Sequence, residues 1–148
     1  MVCLGNICRS PLADGLLRQK VEKEKLNVVV DSCGTSNYHI GEPPDERMIA
    51  TAKKHNYDIS NLRARQFTQQ DFKDFDVIYV MDTSNYNNVI AIAKSDTDKN
   101  KVKLFLNELH PHSNMAVPDP YFGGEQGFEE VFNLVDKTTD IIIDKLKQ

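Results

Sequence analysis

An α/β fold built on a mostly parallel sheet is what this chain predicts, and three observations carry the prediction. Short β-branched runs alternate with segments of helical apolar spacing. One run, Val77-Ile78-Tyr79-Val80-Met81, is almost continuously apolar, as suits a parallel strand covered on both faces. Finally, Cys3-Leu4-Gly5-Asn6-Ile7-Cys8-Arg9-Ser10-Pro11 leads from the first run straight into a helix, and parallel sheets bind ligands at the carboxyl ends of their strands.

In chain order, Met1-Val2-Cys3 reads as the end of a first strand, short because only Met1 and Val2 precede Cys3. Residues 11–26 place Leu12, Leu16, Leu17 and Val21 on one helical face, with Ser10 as N-cap and Pro11 at the first helical position. Val28-Val29-Val30 reads as a buried second strand. Turn formers fill residues 34–44, a helix follows from about Asp45 to His55, and an irregular stretch runs through Arg65. Thr68-Gln69-Gln70-Asp71 resembles an N-capping pattern for a short helix. After the third strand at residues 77–81, Asp82 or Thr83 opens a helix to about Ala93, and the charge-rich residues 94–103 read as a solvated loop. Val102-Lys103-Leu104-Phe105 supplies a fourth strand. The last helix, residues 128–146, carries Phe128, Val131, Phe132, Val135, Ile142 and Leu146 as its apolar positions. With no repeat, low-complexity stretch or linker, residues 1–148 read as a single domain.

Composition narrows the function classes. At 148 residues the chain can bury roughly 68–70% of its unfolded surface, enough for a core without staples. Hydrophobic content of 40% and charged content of 27% are those of a soluble globular protein. A net charge of −4 argues against nucleic-acid partners, which call for a basic surface. No apolar run approaches the ~20 residues that span a bilayer, and no leader is expected ahead of the first strand, so no membrane association is expected. Three unevenly spaced cysteines make no disulfide framework and favour a reducing cytoplasm.

The chemistry concentrates in residues 3–10. A loop wrapped over a helix N-terminus offers backbone N–H groups and the positive end of the helix dipole, an anion site. Cys3 at its mouth is a candidate thiolate nucleophile, and Arg9 can grip two oxygens of a phosphoryl group. Gly5 permits close approach to a ligand, and Asn6 tolerates left-handed backbone and can tie the loop together. Ser10 can donate its hydroxyl to the thiolate. Chance also produces a cysteine six residues before an arginine, but the flanking strand, Gly5, Asn6 and the Ser-Pro helix start together favour a phosphate site. Ester cleavage needs a proton for the leaving oxygen, and Asp119, fixed between Pro118 and Pro120, is the candidate acid. His39, His55, His110 and His112 are scattered without metal-ligand spacing, so no metal and no cofactor is expected. Cys33 reads as a packed thiol.

Cys3 through Ser10, Pro11-Leu12-Ala13 and Asp119-Pro120-Tyr121-Phe122 together resemble the low-molecular-weight protein tyrosine phosphatases. Asp31-Ser32, Gly34-Thr35-Ser36, Gly41-Glu42-Pro43-Pro44-Asp45, Ala64-Arg65-Gln66 and Met81-Asp82 fall in the family's order, so the likeness covers nearly the whole chain. The resemblance implies a three-layer fold, a four-stranded parallel sheet flanked by helices with the phosphate-binding loop after the first strand. It implies a metal-independent hydrolase acting on phosphotyrosine-containing proteins through a cysteinyl-phosphate, as a monomer or weak dimer. Cys3 would attack phosphorus, and Leu4, Gly5, Asn6, Ile7, Cys8, Arg9 and Ser10 would hold the phosphate. Asp119 would act as acid and then as base. Asn6, Ser10 and Ser32 would support the loop, while Ile7, Tyr38, Tyr121 and Phe122 would select the substrate. Ile7 stands where related arginine phosphatases place Thr, which favours phosphotyrosine. Phe122 replaces a second tyrosine of the animal members, and Leu62 replaces a histidine of their loop-supporting network. Cys8 is either a reversible disulfide partner of Cys3 or a residue packed beneath the loop.

Two other readings stand beside this one. A thioredoxin-coupled arsenate reductase shares fold and loop but needs relay cysteines, which the later part of the chain lacks. A non-catalytic phosphate-binding module would not need Cys3, Arg9 and Asp119 together.

Overall fold

Four short strands, Val2–Cys3 (β1), Cys33–Gly34 (β2), Ile78–Val80 (β3) and Val102–Leu104 (β4), pair in parallel in the order β2-β1-β3-β4. This is a computed structural model, and it describes residues 1–121 and 124–148. The helices are Arg9–Lys23 (α1), Glu46–Lys54 (α2), Asp71–Asp74 (α3), Thr83–Ile90 (α4), Asp96–Asn100 (α5) and Glu125–Leu146 (α6), with a 3-10 turn at Phe105–Asn107. Strand alternation divides the core between the two faces of the sheet. Val2, Ile78, Val80, Val102 and Leu104 meet Phe67, Phe72 and Val89 on the face covered by α3 and α4. Cys3 and Met81 meet Leu12, Leu16, Met48, Phe128 and Val135 on the face covered by α1, α2 and α6. The result is the three-layer α/β arrangement that the sequence predicts.

Several elements differ from expectation. The β-branched run Val28-Val29-Val30 lies outside the sheet, and Val29 is 82% exposed. Beside β1, Cys33 N–H bonds the Met1 carbonyl at 3.0 Å and the Met1 ammonium bonds the Asp31 carbonyl at 3.1 Å, and no strand lies beside Val28-Val29-Val30 among the described residues. Val28 and Val30 instead pack against the core of the α1 face. A cavity of about 410 Å³ lies beside this run, lined also by Val77, Ile78 and Ile142, at the end of the sheet away from residues 4–9.

Helix α1 starts at Arg9 with Cys8 as N-cap, so Ser10 and Pro11 sit within its first turn. Proline is harmless there because the first four N–H groups have no intrahelical partner. Freed from capping, Ser10 turns its hydroxyl elsewhere. Asp45 and Asp82 do cap α2 and α4, accepting N–H bonds from Arg47 at 2.8 Å and Asn85 at 2.7 Å. Residues 94–103 are not all loop, because Ser95 caps the short helix α5 by accepting from Asp98 N–H at 3.1 Å. Helix α4 stops at Ile90, short of Ala93, and Leu146 at the end of α6 is 40% exposed.

Candidate active site

Residues 4–8 arch from the carboxyl end of β1 to the first turn of α1 and close around the Cys3 thiol. The N–H of Asn6 donates to Cys3 Sγ at 3.2 Å, and Ser10 Oγ lies hydrogen-bonded 3.0 Å from the same sulfur. Asn6 reaches this geometry with φ of 59°, a left-handed conformation that asparagine tolerates. Its amide then ties the loop from inside: Nδ2 donates to Ser10 Oγ at 2.7 Å, and Oδ1 accepts from Arg65 N–H at 3.1 Å. The outer side is stitched to neighbouring segments. Thr35 N–H bonds the Cys3 carbonyl at 2.9 Å, Ser36 N–H the Leu4 carbonyl at 3.0 Å and Asp45 N–H the Ile7 carbonyl at 2.8 Å. A Cβ at Gly34 would fall 2.7 Å from the Leu4 carbonyl oxygen, so β2 can lie this close to the loop only with glycine there.

Arg9, 4% exposed, is aimed by two acceptors: Nη1 donates to Asp82 Oδ2 at 2.7 Å and to the Val117 carbonyl at 3.1 Å. Asp82 therefore serves α4 with one oxygen and Arg9 with the other. The second guanidinium nitrogen, Nη2, lies 3.6 Å from Asp119 Oδ2. Asp119 Oδ1 accepts the Tyr121 N–H at 3.1 Å. Cys3, Gly5, Ile7, Arg9 and Asp119 line one cavity of about 230 Å³, together with Leu4, Cys8, His39 and the aromatics Tyr38 and Tyr121. Tyr38 is 73% exposed, a wall standing in solvent.

The structure thus gathers residues 3–10, Tyr38, Asp119 and Tyr121 in one place, while Phe122 lies outside the described residues. Ser32 is buried beside the Asp14 carboxyl of α1. Cys8 and Cys33 are free buried thiols; burial pushes both up, Cys33 to about 12. Leu62 packs at the edge of the core beside Gly15. Among the described residues no group of three or more His, Cys, Asp or Glu is arranged to hold a metal ion, and no helix is long and apolar enough to cross a membrane. Sequence reasoning missed four residues of this surround: Gly34, His39, Arg47 and Asp82. Asp82 had a readable signal, since it follows β3 at the carboxyl end of the sheet. Gly34, which stands directly after Cys33 at the end of β2, had a weaker one. His39 lies with its ring over Gly5 and bonds Glu42, a placement fixed by tertiary contact alone.

The family model for low molecular weight phosphotyrosine protein phosphatase matches residues 1–148. A low molecular weight phosphotyrosine protein phosphatase of Schizosaccharomyces pombe is 42% identical over 139 residues, covering 91% of this chain and 88% of the relative. A crystal structure of a protein tyrosine phosphatase from Entamoeba histolytica, with Hepes in its active site, superposes with a TM-score of 0.91 at 34% identity, covering 99% of this chain and 94% of that one. A Drosophila arginine phosphatase superposes with a TM-score of 0.90 at 30% identity, covering 99% and 96%.

Proposed function

The chain belongs to the low molecular weight phosphotyrosine protein phosphatase family, and from that membership we propose that it hydrolyses phosphotyrosine esters through a cysteinyl-phosphate on Cys3, without a metal. The observation that carries this reading is the single cavity in which the Cys3 thiol, the Arg9 guanidinium and the Asp119 carboxyl converge. In the first step Cys3 Sγ attacks phosphorus; an S–P bond forms, the ester P–O bond breaks, and Asp119 delivers its proton to the departing phenoxide. In the second step Asp119 takes a proton from water as the water attacks phosphorus, the S–P bond breaks, and phosphate leaves with the thiolate restored. Arg9 and the loop amides hold the equatorial oxygens where charge builds in both transition states. The hydroxyl of Ser10 and the N–H of Asn6 already lie against the sulfur that must carry negative charge before attack and after release.

Preference for an aryl ester rests on the walls of the cavity. Ile7 offers an apolar contact, and Tyr38 and Tyr121 offer two aromatic faces to a phenyl ring. Ile7 carries no hydroxyl to bond a guanidinium-linked phosphate. In this reading residues 1–148 form one catalytic domain, which acts in the cytoplasm on phosphotyrosine-containing proteins as a monomer or weak dimer.

A panel of phosphotyrosine, phosphoserine and phosphoarginine peptides tests the proposal. Phosphotyrosine is expected to turn over fastest. Cys3→Ser is expected to abolish that turnover while vanadate still binds. Retained turnover in Cys3→Ser would remove the covalent intermediate, and faster phosphoarginine hydrolysis would overturn the substrate assignment.

A further inference from the structure

Four hydrogen-bonded links join the phosphate loop to Asp119, and Arg47 is the middle of them. The first is the Asp45 N–H bond to the Ile7 carbonyl, 2.8 Å, which fixes the start of α2 against the loop. The second is a two-pronged ion pair: Arg47 Nε donates to Asp45 Oδ1 at 3.0 Å and Nη2 to Oδ2 at 2.9 Å. In the third, Arg47 Nη2 also donates to the Tyr121 carbonyl at 3.0 Å. The fourth is the Tyr121 N–H bond to Asp119 Oδ1 at 3.1 Å. The guanidinium lies 4.7 Å from the Phe128 ring centroid and 5.5 Å from that of Tyr121, so it also bridges the start of α6 to the Asp119 segment.

We propose that Arg47 is a positioning residue, a brace that holds the segment bearing Asp119 at a fixed height over the phosphate loop so that the carboxyl meets the leaving oxygen. The inference rests on the phosphatase reading above and deepens it. Asp119 is 40% exposed and its direct contact with Arg9 is a loose 3.6 Å, so the carboxyl is not fixed by burial or by Arg9. Upstream of Asp119 the segment is anchored by the Val117 N–H bond to the Met81 carbonyl at 2.8 Å, and Pro120 is buried. The brace supplies the anchor on the downstream side, at Tyr121, and the planar fork of arginine suits it, since one side of the guanidinium engages Asp45 while Nη2 also reaches the carbonyl. Asp45 is committed to the pair: bonding to Arg47 holds its carboxyl below the usual carboxylate range. Misplacing a catalytic group by ångströms from a remote site costs rate without removing the group.

The test is the dependence of kcat on leaving group. Arg47→Met is expected to lower kcat on phosphotyrosine about 10-fold. On an ester of a strongly acidic phenol, whose leaving group needs no proton, the expected loss is about 2-fold or less. Vanadate affinity is expected to stay at the unmodified level, which reports an intact phosphate loop and a folded protein. Arg47→Lys keeps the cation without the fork and is expected to fall between. The double variant Asp119→Ala/Arg47→Met is expected to match Asp119→Ala alone on phosphotyrosine, because a brace has nothing left to position. Equal losses on both esters, additive losses in the double variant, or no loss in Arg47→Met would each overturn the proposal. Inactivity of the unmodified protein on both esters would instead overturn the phosphatase reading on which it rests.

Discussion

At the scale of single residues, three thiols of one chain have three different surroundings, and their chemistry should divide accordingly. Cys3 faces a cavity with an N–H, a hydroxyl and a guanidinium nearby. Cys33 is sealed in β2, and burial pushes it up to about 12. Cys8 is pushed up as well, by burial first and then by the charges of Asp45 and Cys3. A thiol reacts with alkylators as its thiolate, so a raised pKa keeps Cys8 and Cys33 protonated and silent through the neutral and mildly alkaline range. Iodoacetate, itself an anion, is therefore expected to place one carboxymethyl group on the folded protein near neutral pH, on Cys3, and excess phosphate should block it. Peptide mapping checks the site. Modification of Cys33 at a comparable rate, before unfolding, would contradict this account of its surroundings.

At the scale of elements, the loop depends on the strand beside it. Gly34 of β2 lets Leu4 and Gly5 approach: a side chain there would meet the Leu4 oxygen at 2.7 Å, the Gly5 carbonyl carbon at 3.1 Å and the Asn6 nitrogen at 3.2 Å. All three are backbone atoms of the anion site, so nothing flexible can give way. Gly34→Ala is expected to cost about 1–3 kcal/mol in denaturant unfolding, the usual range for overpacking, and to weaken phosphate binding about 10-fold or more. Binding unchanged with stability lost would mean that the strain settles in β2 and spares the loop. This contact also marks where sequence reading stops. The loop itself was legible because its chemistry is local: Cys3, Gly5, Asn6, Arg9 and Ser10 lie within eight consecutive residues and run into a helix. Asp82 and Gly34 show in the sequence only by their places at strand ends, while Arg47 matters through what it approaches across the fold, and residue spacing carries no record of that. Val28-Val29-Val30 misled for the same reason. Its β-branched pattern is real, but a strand requires a neighbour, and the run lies outside the sheet with Val29 exposed. The sequence offers Ser10 two roles, helix cap and partner of the thiol, and the structure keeps the second while Cys8 stands at the N-cap.

At the scale of the whole molecule, the site must attract a dianion to a chain whose net charge is −4. The overall field opposes that, so the attraction has to be local. The parallel sheet makes it local by delivering β1 and the start of α1 to one point, with Arg9 held there by Asp82 from the end of β3 and by the Val117 carbonyl. These contributions come from segments far apart in sequence and exist together only in the folded state, so an oxyanion that occupies the site must stabilise the fold by linkage. Phosphate or vanadate at about 100 times its dissociation constant should add about 2.7 kcal/mol, which raises Tm by roughly 5–10 °C for a chain of this length. Arg9→Lys keeps a cation opposite Asp82, so the half-buried carboxylate is not stranded, but it loses the two-pronged grip on the anion. At the same ligand concentration its shift is expected to fall to a few degrees or less, while its Tm without ligand stays close to that of the unmodified protein. A ligand-induced shift of equal size in both proteins would show that the loop amides alone hold the anion. Arg9 would then act only on the charge that develops during transfer, and its substitution would appear in kcat and leave binding untouched.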